Sequence, residues 1–124
     1  MKPLSKTEEE IMKYLWKLES CYMKDLVDEF PDPKPAYTTI ATYLTRMTEK
    51  GLVGYHQRGK VREYFPQLKK SVYFKGHFNA MISNFFNGSA SQFASFFTTK
   101  TDLSLDELEE LRQIIDQQID EKKK

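Results

Sequence analysis

The sequence predicts a mainly α-helical protein with one small β-hairpin, and three observations indicate this fold class. Apolar residues recur at helical spacing in several segments, as in amphipathic helices. One segment instead combines β-branched and aromatic residues on both sides of a glycine, which favours two paired strands. Prolines and glycines separate these segments. With 124 residues, 40% of them hydrophobic, the chain is long enough for one modest domain and an appendage.

The first two helices follow from apolar spacing and from the residues at their ends. Ser5 and Glu8 have the spacing of a capping box, so we expect a helix to begin there. Trp16 and its apolar neighbours recur at helical spacing and should belong to the core. A second helix over residues 23–30 is stopped by a proline, and two further prolines stiffen the connector that follows.

Residues 36–51 predict a third helix with two unlike faces. At about 100° per residue, Ile40, Leu44 and Met47 form one apolar stripe, whereas threonines and an arginine lie on the other side. Threonine is less favourable than alanine in a helix by roughly half a kcal/mol, so five threonines in this stretch need a reason beyond stability. Contact with DNA bases and phosphates is one such reason. Because Ala36 offers no capping oxygen, the first N–H groups are left for a threonine side chain, water or a bound phosphate. The predicted contact residues of this helix are Tyr37, Thr38, Thr39, Thr42, Thr45 and Arg46.

A hairpin should follow the third helix. Gly51 supplies the left-handed conformation that ends a helix, and residues 52–57 and 61–65 have the composition of strands. Residues 58–60 should form a tight turn with cations at its tip. Two helices, a stiff connector, a third helix and this two-stranded wing are the pattern of a winged helix-turn-helix domain, predicted over residues 1–68. The predicted wing contacts to phosphates or the minor groove are Arg58, Lys60 and Arg62.

The region after the wing, residues 69–124, is predicted to be a helical dimerisation region. Residues 71–87 form its first helix, a break over residues 88–91 precedes the second, and Ser104 caps the third. Each apolar stripe is too thin to close a core alone, so we expect the helices to bury one another across a two-fold axis. Packing on the winged domain of the same chain is the alternative. The predicted dimerisation residues are Phe74, Phe78, Met81, Ile82, Phe85, Phe93, Phe96, Phe97, Leu108, Leu111 and Ile115.

Charge is distributed unevenly along a chain whose net charge is only +1. Eight basic and two acidic side chains lie between Lys34 and Lys70, so the third helix and the wing carry most of the positive charge. A solvated basic surface is the simplest interpretation of such a block. Its coincidence with the threonine-rich helix nevertheless favours a polyanionic partner.

Several classes of protein are disfavoured. The sequence has no apolar run of about 18 residues for a membrane span, and its charged amino-terminal segment is unlike a signal peptide, so we expect a cytoplasmic protein. Cys21 is the only cysteine, which leaves no intrachain disulfide and no cysteine cluster for a metal, and we expect no cofactor. His56 and His77 stand alone and no glycine-rich phosphate loop occurs, so an enzyme is disfavoured.

The run AYTTIATYLTRMTEKGLV, followed by RGKVREYFP, resembles the penicillinase-repressor family, winged-helix regulators of β-lactam resistance and copper homeostasis in bacteria. More loosely, LSLDELEELRQII resembles the terminal helix of that family. The resemblance implies a homodimeric transcriptional repressor that binds an inverted-repeat operator in double-stranded DNA through the recognition helix and wing residues named above. Genes of antibiotic resistance or stress response are its expected targets. A winged-helix module that binds a protein partner through the same surface is the alternative.

Two regulatory features of the family are expected to be absent. In members regulated by β-lactams, a protease of a membrane sensor-transducer system cuts the repressor between Asn and Phe in the middle tail helix. Alignment on the terminal Asp-Leu-Ser places Phe96 and Phe97 at that bond, and although Asn84 and Phe85 lie upstream, cleavage control is disfavoured. Copper-responsive members carry a cysteine-rich metal site near the carboxyl terminus. This chain has no cysteine other than Cys21, so direct copper sensing is disfavoured as well.

Overall fold

The computed structural model describes residues 3–124 and divides into two compact units, the first ending at Lys75 and the second running from Gly76 to Lys124. The first two residues of the charged amino-terminal segment, on which the argument against a signal peptide draws, lie outside the described residues. The chain is mainly helical with one antiparallel pair of strands, which confirms the predicted fold class. The functional boundary between residues 68 and 69 stays a prediction.

Three helices and the hairpin build most of the first unit. Ser5 Oγ accepts a hydrogen bond of 3.2 Å from the Glu8 backbone N, and Glu8 Oε1 accepts one of 2.9 Å from the Ser5 N. This capping box confirms the predicted start of the first helix. The elements are α1 Lys6–Leu18, α2 Met23–Glu29, α3 Tyr37–Glu49, β1 Val53–Arg58 and β2 Val61–Pro66.

The core of the first unit lies where α1, α2, α3 and the hairpin meet. Trp16 is half-buried, and its indole Nε1 donates a hydrogen bond of 2.8 Å to the Leu68 carbonyl, which holds the chain after the wing against α1. Each fully buried aliphatic side chain contributes about 1.5–3 kcal/mol relative to an exposed one, so this core gives α3 a fixed position. The largest fully buried side chains are Ile11, Met12, Leu15, Leu26, Ile40, Leu44, Met47 and Val53.

Cys21 is buried and pairs with the wing. Its backbone N donates to the Tyr64 carbonyl at 2.9 Å, and the Tyr64 N donates to the Cys21 carbonyl at 2.7 Å. Burial raises the pKa of the Cys21 thiol to about 11, so the thiol stays protonated at neutral pH. The pair ties the second strand of the wing to the chain between α1 and α2.

The hairpin closes through two residues rather than the predicted three. Arg58 pairs with Val61, so Arg58 belongs to β1 and only Gly59 and Lys60 form the turn. Gly59 has a φ of 62°, the left-handed conformation that a two-residue hairpin turn favours. Strand β2 extends to Pro66, one residue beyond the predicted end, because the missing N–H of proline is tolerated at the end of a strand.

Three helices follow the wing. The start of the last helix was predicted correctly, whereas the position of the break before the middle helix was not. Ser104 caps the last helix as predicted, with its hydroxyl accepting a hydrogen bond of 3.1 Å from the Glu107 N. The break covers residues 86–89 rather than the predicted 88–91, because α4 already ends at Phe85 and Ser89 caps the middle helix by accepting from the Gln92 N at 3.1 Å. The helices are α4 Lys70–Phe85, which begins in the first unit, α5 Ala90–Lys100 and α6 Leu105–Lys123.

Aromatic rings dominate the contacts of the second unit. Phe86, which the sequence did not single out, is half-buried and lies with its ring centroid 5.6 Å from Phe93 and 5.7 Å from Phe96. No side chain from Gly76 to Lys124, a range that the structure describes throughout, is buried. Among residues 3–124, no helix combines the length and the apolar character that crossing a bilayer requires.

Candidate nucleic-acid interface

Helix α3 presents its apolar stripe to the core and its polar face to solvent. Ile40, Leu44 and Met47 are each 0% exposed, which confirms the predicted stripe. Ala36 is the N-cap residue and provides no side-chain hydrogen bond, because an alanine side chain has no polar atom. The predicted contact residues Tyr37, Thr38, Thr39, Thr42, Thr45 and Arg46 are all exposed.

The threonine hydroxyls on this exposed face are hydrogen-bonded within the helix. Thr42 Oγ1 donates to the Thr38 carbonyl at 2.9 Å, and Thr45 Oγ1 donates to the Ala41 carbonyl at 3.0 Å. Because a carbonyl only accepts, each hydroxyl hydrogen is engaged, and each hydroxyl oxygen can still accept a further hydrogen bond. Thr42 and Thr45 therefore offer an acceptor and a methyl group, which suit the amino groups of adenine and cytosine and the methyl group of thymine in the major groove.

The two faces of the wing differ in chemistry. Residues directly opposite each other in an antiparallel pair share a face, so Gln57 and Arg62 lie on one face, whereas Arg58 belongs to the other. The Arg62 guanidinium lies 4.2 Å from the centroid of the Tyr55 ring in a cation–π contact. Arg58 Nε instead lies 3.2 Å from Glu63 Oε1, and this ion pair offsets the Arg58 charge.

An open cleft of about 740 Å³ lies between α3, the wing and the start of α2. The cleft brings together Tyr37 and Thr45 of the predicted helix contacts with Lys60 and Arg62 of the predicted wing contacts. Arg58 does not line it. The other predicted contacts of α3 are exposed but do not line the cleft; they are Thr38, Thr39, Thr42 and Arg46.

Tyr22 and Lys24 line the same cleft, and the sequence did not single out either residue. Both lie in the first 33 residues, where acidic side chains outnumber basic ones, so the charge pattern gave no signal for them. With Lys60 and Arg62, Lys24 gives the cleft three cations, and no carboxylate residue is among those that line it. Three cations without a carboxylate favour the phosphate backbone of a nucleic acid as the occupant.

Side chains that could bind a metal ion do not cluster in the part of the chain that the structure describes. Within residues 3–124, no three or more His, Cys, Asp or Glu side chains come together in a group that could hold a metal ion. His56 stacks on Phe65, with their ring centroids 4.9 Å apart. Its register places it on the Arg58 face of the wing, and it does not line the cleft.

A third helix with an exposed polar face, followed by a basic two-stranded wing, defines the winged helix-turn-helix class of DNA-binding domains. Within this class, the chain belongs to the penicillinase repressor family, whose family model matches residues 4–117. This match confirms the family that the sequence resembles. The family consists of transcriptional repressors, which are not enzymes, so the catalytic alternative falls away.

Individual relatives share most of their length with this chain. The penicillinase repressor of Bacillus licheniformis is 30% identical over 121 residues, which cover 97% of this chain and 94% of the relative. The methicillin resistance regulatory protein MecI of Staphylococcus aureus strain N315 is 29% identical over 114 residues, which cover 90% of this chain and 92% of MecI. Among solved structures, the DNA-binding domain of the repressor BlaI matches with a TM-score of 0.50 and 32% identity, over 59% of this chain and 94% of that domain.

Proposed function

We propose that this protein is a sequence-specific transcriptional repressor that binds an inverted-repeat operator in double-stranded DNA as a homodimer. The observation that carries the proposal is the open cleft that Thr45 of α3 lines together with Lys60 and Arg62 of the wing, with no carboxylate residue in the lining. Relatives along nearly the whole chain are named as repressors and regulators, which supports the same function here.

The exposed face of α3 is proposed to contact base edges in the major groove. Arg46 has the forked guanidinium that pairs with guanine through two hydrogen bonds, and Thr42 and Thr45 supply the acceptors described above. Lys24 and Lys60 are proposed to contact backbone phosphates, which fix the position of the helix but carry no sequence information. Arg62 joins them, whereas Arg58 contributes less because Glu63 offsets its charge.

The second unit is proposed to form the dimer interface, and a second copy of this chain is the partner. Phe85 is 77% exposed and Leu105 is 73% exposed, although burial of such side chains stabilises a protein by about 25 cal/mol per Å². A two-fold axis lets each copy bury the apolar side chains of the other. Of the predicted dimerisation residues, Met81, Ile82, Phe93 and Leu111 are half-buried in one chain, and Phe74, Phe78, Phe85, Phe96, Phe97, Leu108 and Ile115 are exposed.

The proposed targets are genes of antibiotic resistance or stress response, and the proposed location is the cytoplasm, where a bacterial repressor meets its DNA. Release by proteolysis is disfavoured, because the bond between Phe96 and Phe97 lacks the expected asparagine and lies inside α5. A membrane sensor-transducer protease would be a partner only if cleavage at this bond released the DNA.

Binding to selected DNA tests the proposal directly. The full chain is used to enrich duplexes from a random-sequence library, and affinity for the enriched duplex is then measured against salt concentration. Six cleft cations in a dimer predict a slope of log K against log salt of about −5. If no sequence is enriched, salt has no effect, and an acidic protein is captured instead, the protein-binding alternative replaces this proposal.

A further inference from the structure

Glu8 is a charged side chain that the first unit buries: its residue is only 7% exposed, and no other charged residue among those the structure describes is buried. It lies in the first turn of α1, a position that needs no buried charge for helix formation. Burying a carboxylate is costly unless it is paired and hydrogen-bonded. The function outlined above gives this group no role.

Both oxygens of the Glu8 carboxylate are engaged, and they join two different elements. Oε1 accepts a hydrogen bond of 2.9 Å from the Ser5 N and completes the cap of α1. Oε2 accepts one of 2.8 Å from Lys50 Nζ, across 42 positions of the sequence. Lys50 is the C-cap residue of α3, so a single carboxylate connects the start of α1 to the end of the proposed recognition helix.

The end of α3 that Lys50 anchors is where the chain turns into the wing. The Lys50 N donates to the Arg46 carbonyl at 3.0 Å, and the Gly51 N donates to the Thr48 carbonyl at 3.1 Å. The Leu52 N then donates to the Met47 carbonyl at 2.9 Å. A displacement of Lys50 therefore reaches Arg46, a proposed base contact, through one hydrogen bond.

We propose that Glu8 is a positioning residue of the recognition helix: by holding Lys50 against the cap of α1, it fixes the end of α3 and the direction of Arg46. The proposal rests on the proposed DNA-binding function and deepens it, since Glu8 contacts no base or phosphate in this account. Its effect is on which DNA is bound, and it acts through Lys50.

Positioning and simple electrostatics predict opposite signs for the removal of the Glu8 charge. A carboxylate near a DNA-binding surface repels the phosphates, so its loss alone would raise the affinity for every sequence. If Glu8 instead holds α3 in place, its loss lowers the affinity for the selected operator while affinity for random DNA is unchanged or raised. The ratio of the two affinities separates the explanations.

The test compares Glu8→Gln with Glu29→Gln in the full-length protein. Glu29 is a matched control because it also pairs with a lysine of another helix, Lys17 at 3.0 Å, but this ion pair joins α2 to α1 and does not involve α3. Hydrogen exchange without DNA is followed at the amides of residues 50–52, and binding is measured to the wild-type-selected duplex and to random duplex.

We expect Glu8→Gln to reduce protection at residues 50–52 and to lower the operator preference about threefold to thirtyfold with the salt slope unchanged. Glu29→Gln should change neither. Lys50→Met, which leaves the cap of α1 intact, should reproduce the effect, and the double variant should add little because both substitutions remove one interaction.

Unchanged exchange at residues 50–52 in both Glu8→Gln and Lys50→Met would overturn the positioning role, as would an operator preference equal to that of Glu29→Gln. The exchange measurement needs no DNA. If the wild-type protein enriches no duplex but the exchange difference appears, the proposed function fails while the structural role of Glu8 in holding α3 stands.

Discussion

Replacing Thr42 with alanine should make the protein more stable and, at the same time, a weaker operator binder. Thr42 is exposed, and its hydroxyl donates only to the Thr38 carbonyl of its own helix, at 2.9 Å. The substitution therefore removes no hydrogen bond between α3 and another element. Higher stability together with weaker binding is the result expected for a residue that contacts DNA but is unfavourable for the helix itself.

The magnitudes follow from helix propensity and from base contacts. Alanine is more favourable than threonine in a helix interior by about 0.5 kcal/mol, which is the expected gain in the free energy of unfolding. On DNA, the lost acceptor and methyl contacts are worth about 1 kcal/mol per half-site, the low end for a specific contact. Two half-sites in a dimer give about 2 kcal/mol, or an operator affinity lower by about thirtyfold.

Urea denaturation and competition binding to the selected duplex measure the two effects. Thr48→Ala is the matched control, because the Thr48 hydroxyl also donates within the helix, to the Leu44 carbonyl at 2.7 Å, but Thr48 is half-buried rather than exposed. Thr48→Ala should leave the operator affinity unchanged. An unaltered operator affinity in Thr42→Ala, or equal losses in the two variants, would refute the assignment of this face to the major groove.

Four further changes test other parts of the structure. Gly54→Ala should destabilise the first unit by about 1–3 kcal/mol in urea denaturation, because a Cβ there would lie 2.5 Å from the Phe65 ring; unchanged stability would show that the ring yields freely. Lys24→Ala should weaken binding to all duplexes alike and reduce the salt slope by about one per protomer, whereas a sequence-selective loss would contradict a phosphate contact. The Lys50 hydrogen bond holds the pKa of Glu8 below its ordinary value of 4.5, so the ion pair stabilises the fold above that pH, and this stabilisation is lost as the pH falls through the lower pKa of the folded state. Below about pH 5, the free energy of unfolding should therefore fall more steeply with pH in the wild type than in Glu8→Gln. Parallel pH profiles of the two proteins would contradict the ion pair. Phe85→Asp should shift the sedimenting species from dimer to monomer at micromolar concentration, and an intact dimer would exclude that surface from the interface.

Local signals in the sequence predicted the elements well because the forces that set them are local. The capping boxes at Ser5 and Ser104 lie within four residues, and the structure contains both. The stripe of α3 also follows from spacing alone. Even so, the predicted turn of the wing was one residue too long. That error matters, because a shift of one position moves a side chain to the other face of a strand. The faces of Arg58 and Arg62 became clear only with the register.

Contacts between distant parts of the chain gave no comparable signal. Glu8 and Lys50 are 42 positions apart, and nothing in the sequence around either residue indicates that the two form an ion pair. Lys24 lies in an acidic segment, and only the fold brings it beside the wing. Phe86 lies just after the end of α4, although the sequence predicted a helix through residue 87, and its ring contacts come from residues of α5.

The central claim, that α3 and the wing of two protomers read a DNA site together, is tested most directly by selection from a random duplex library with the wild-type chain and with Arg46→Ala. The account predicts that the wild type enriches an inverted repeat whose half-sites are centred about 34 Å apart, or a multiple of it. It predicts that Arg46→Ala, with an intact fold, loses preference at one base pair in each half-site. Enrichment of no sequence by the wild type, or an identical preference in Arg46→Ala, would contradict it.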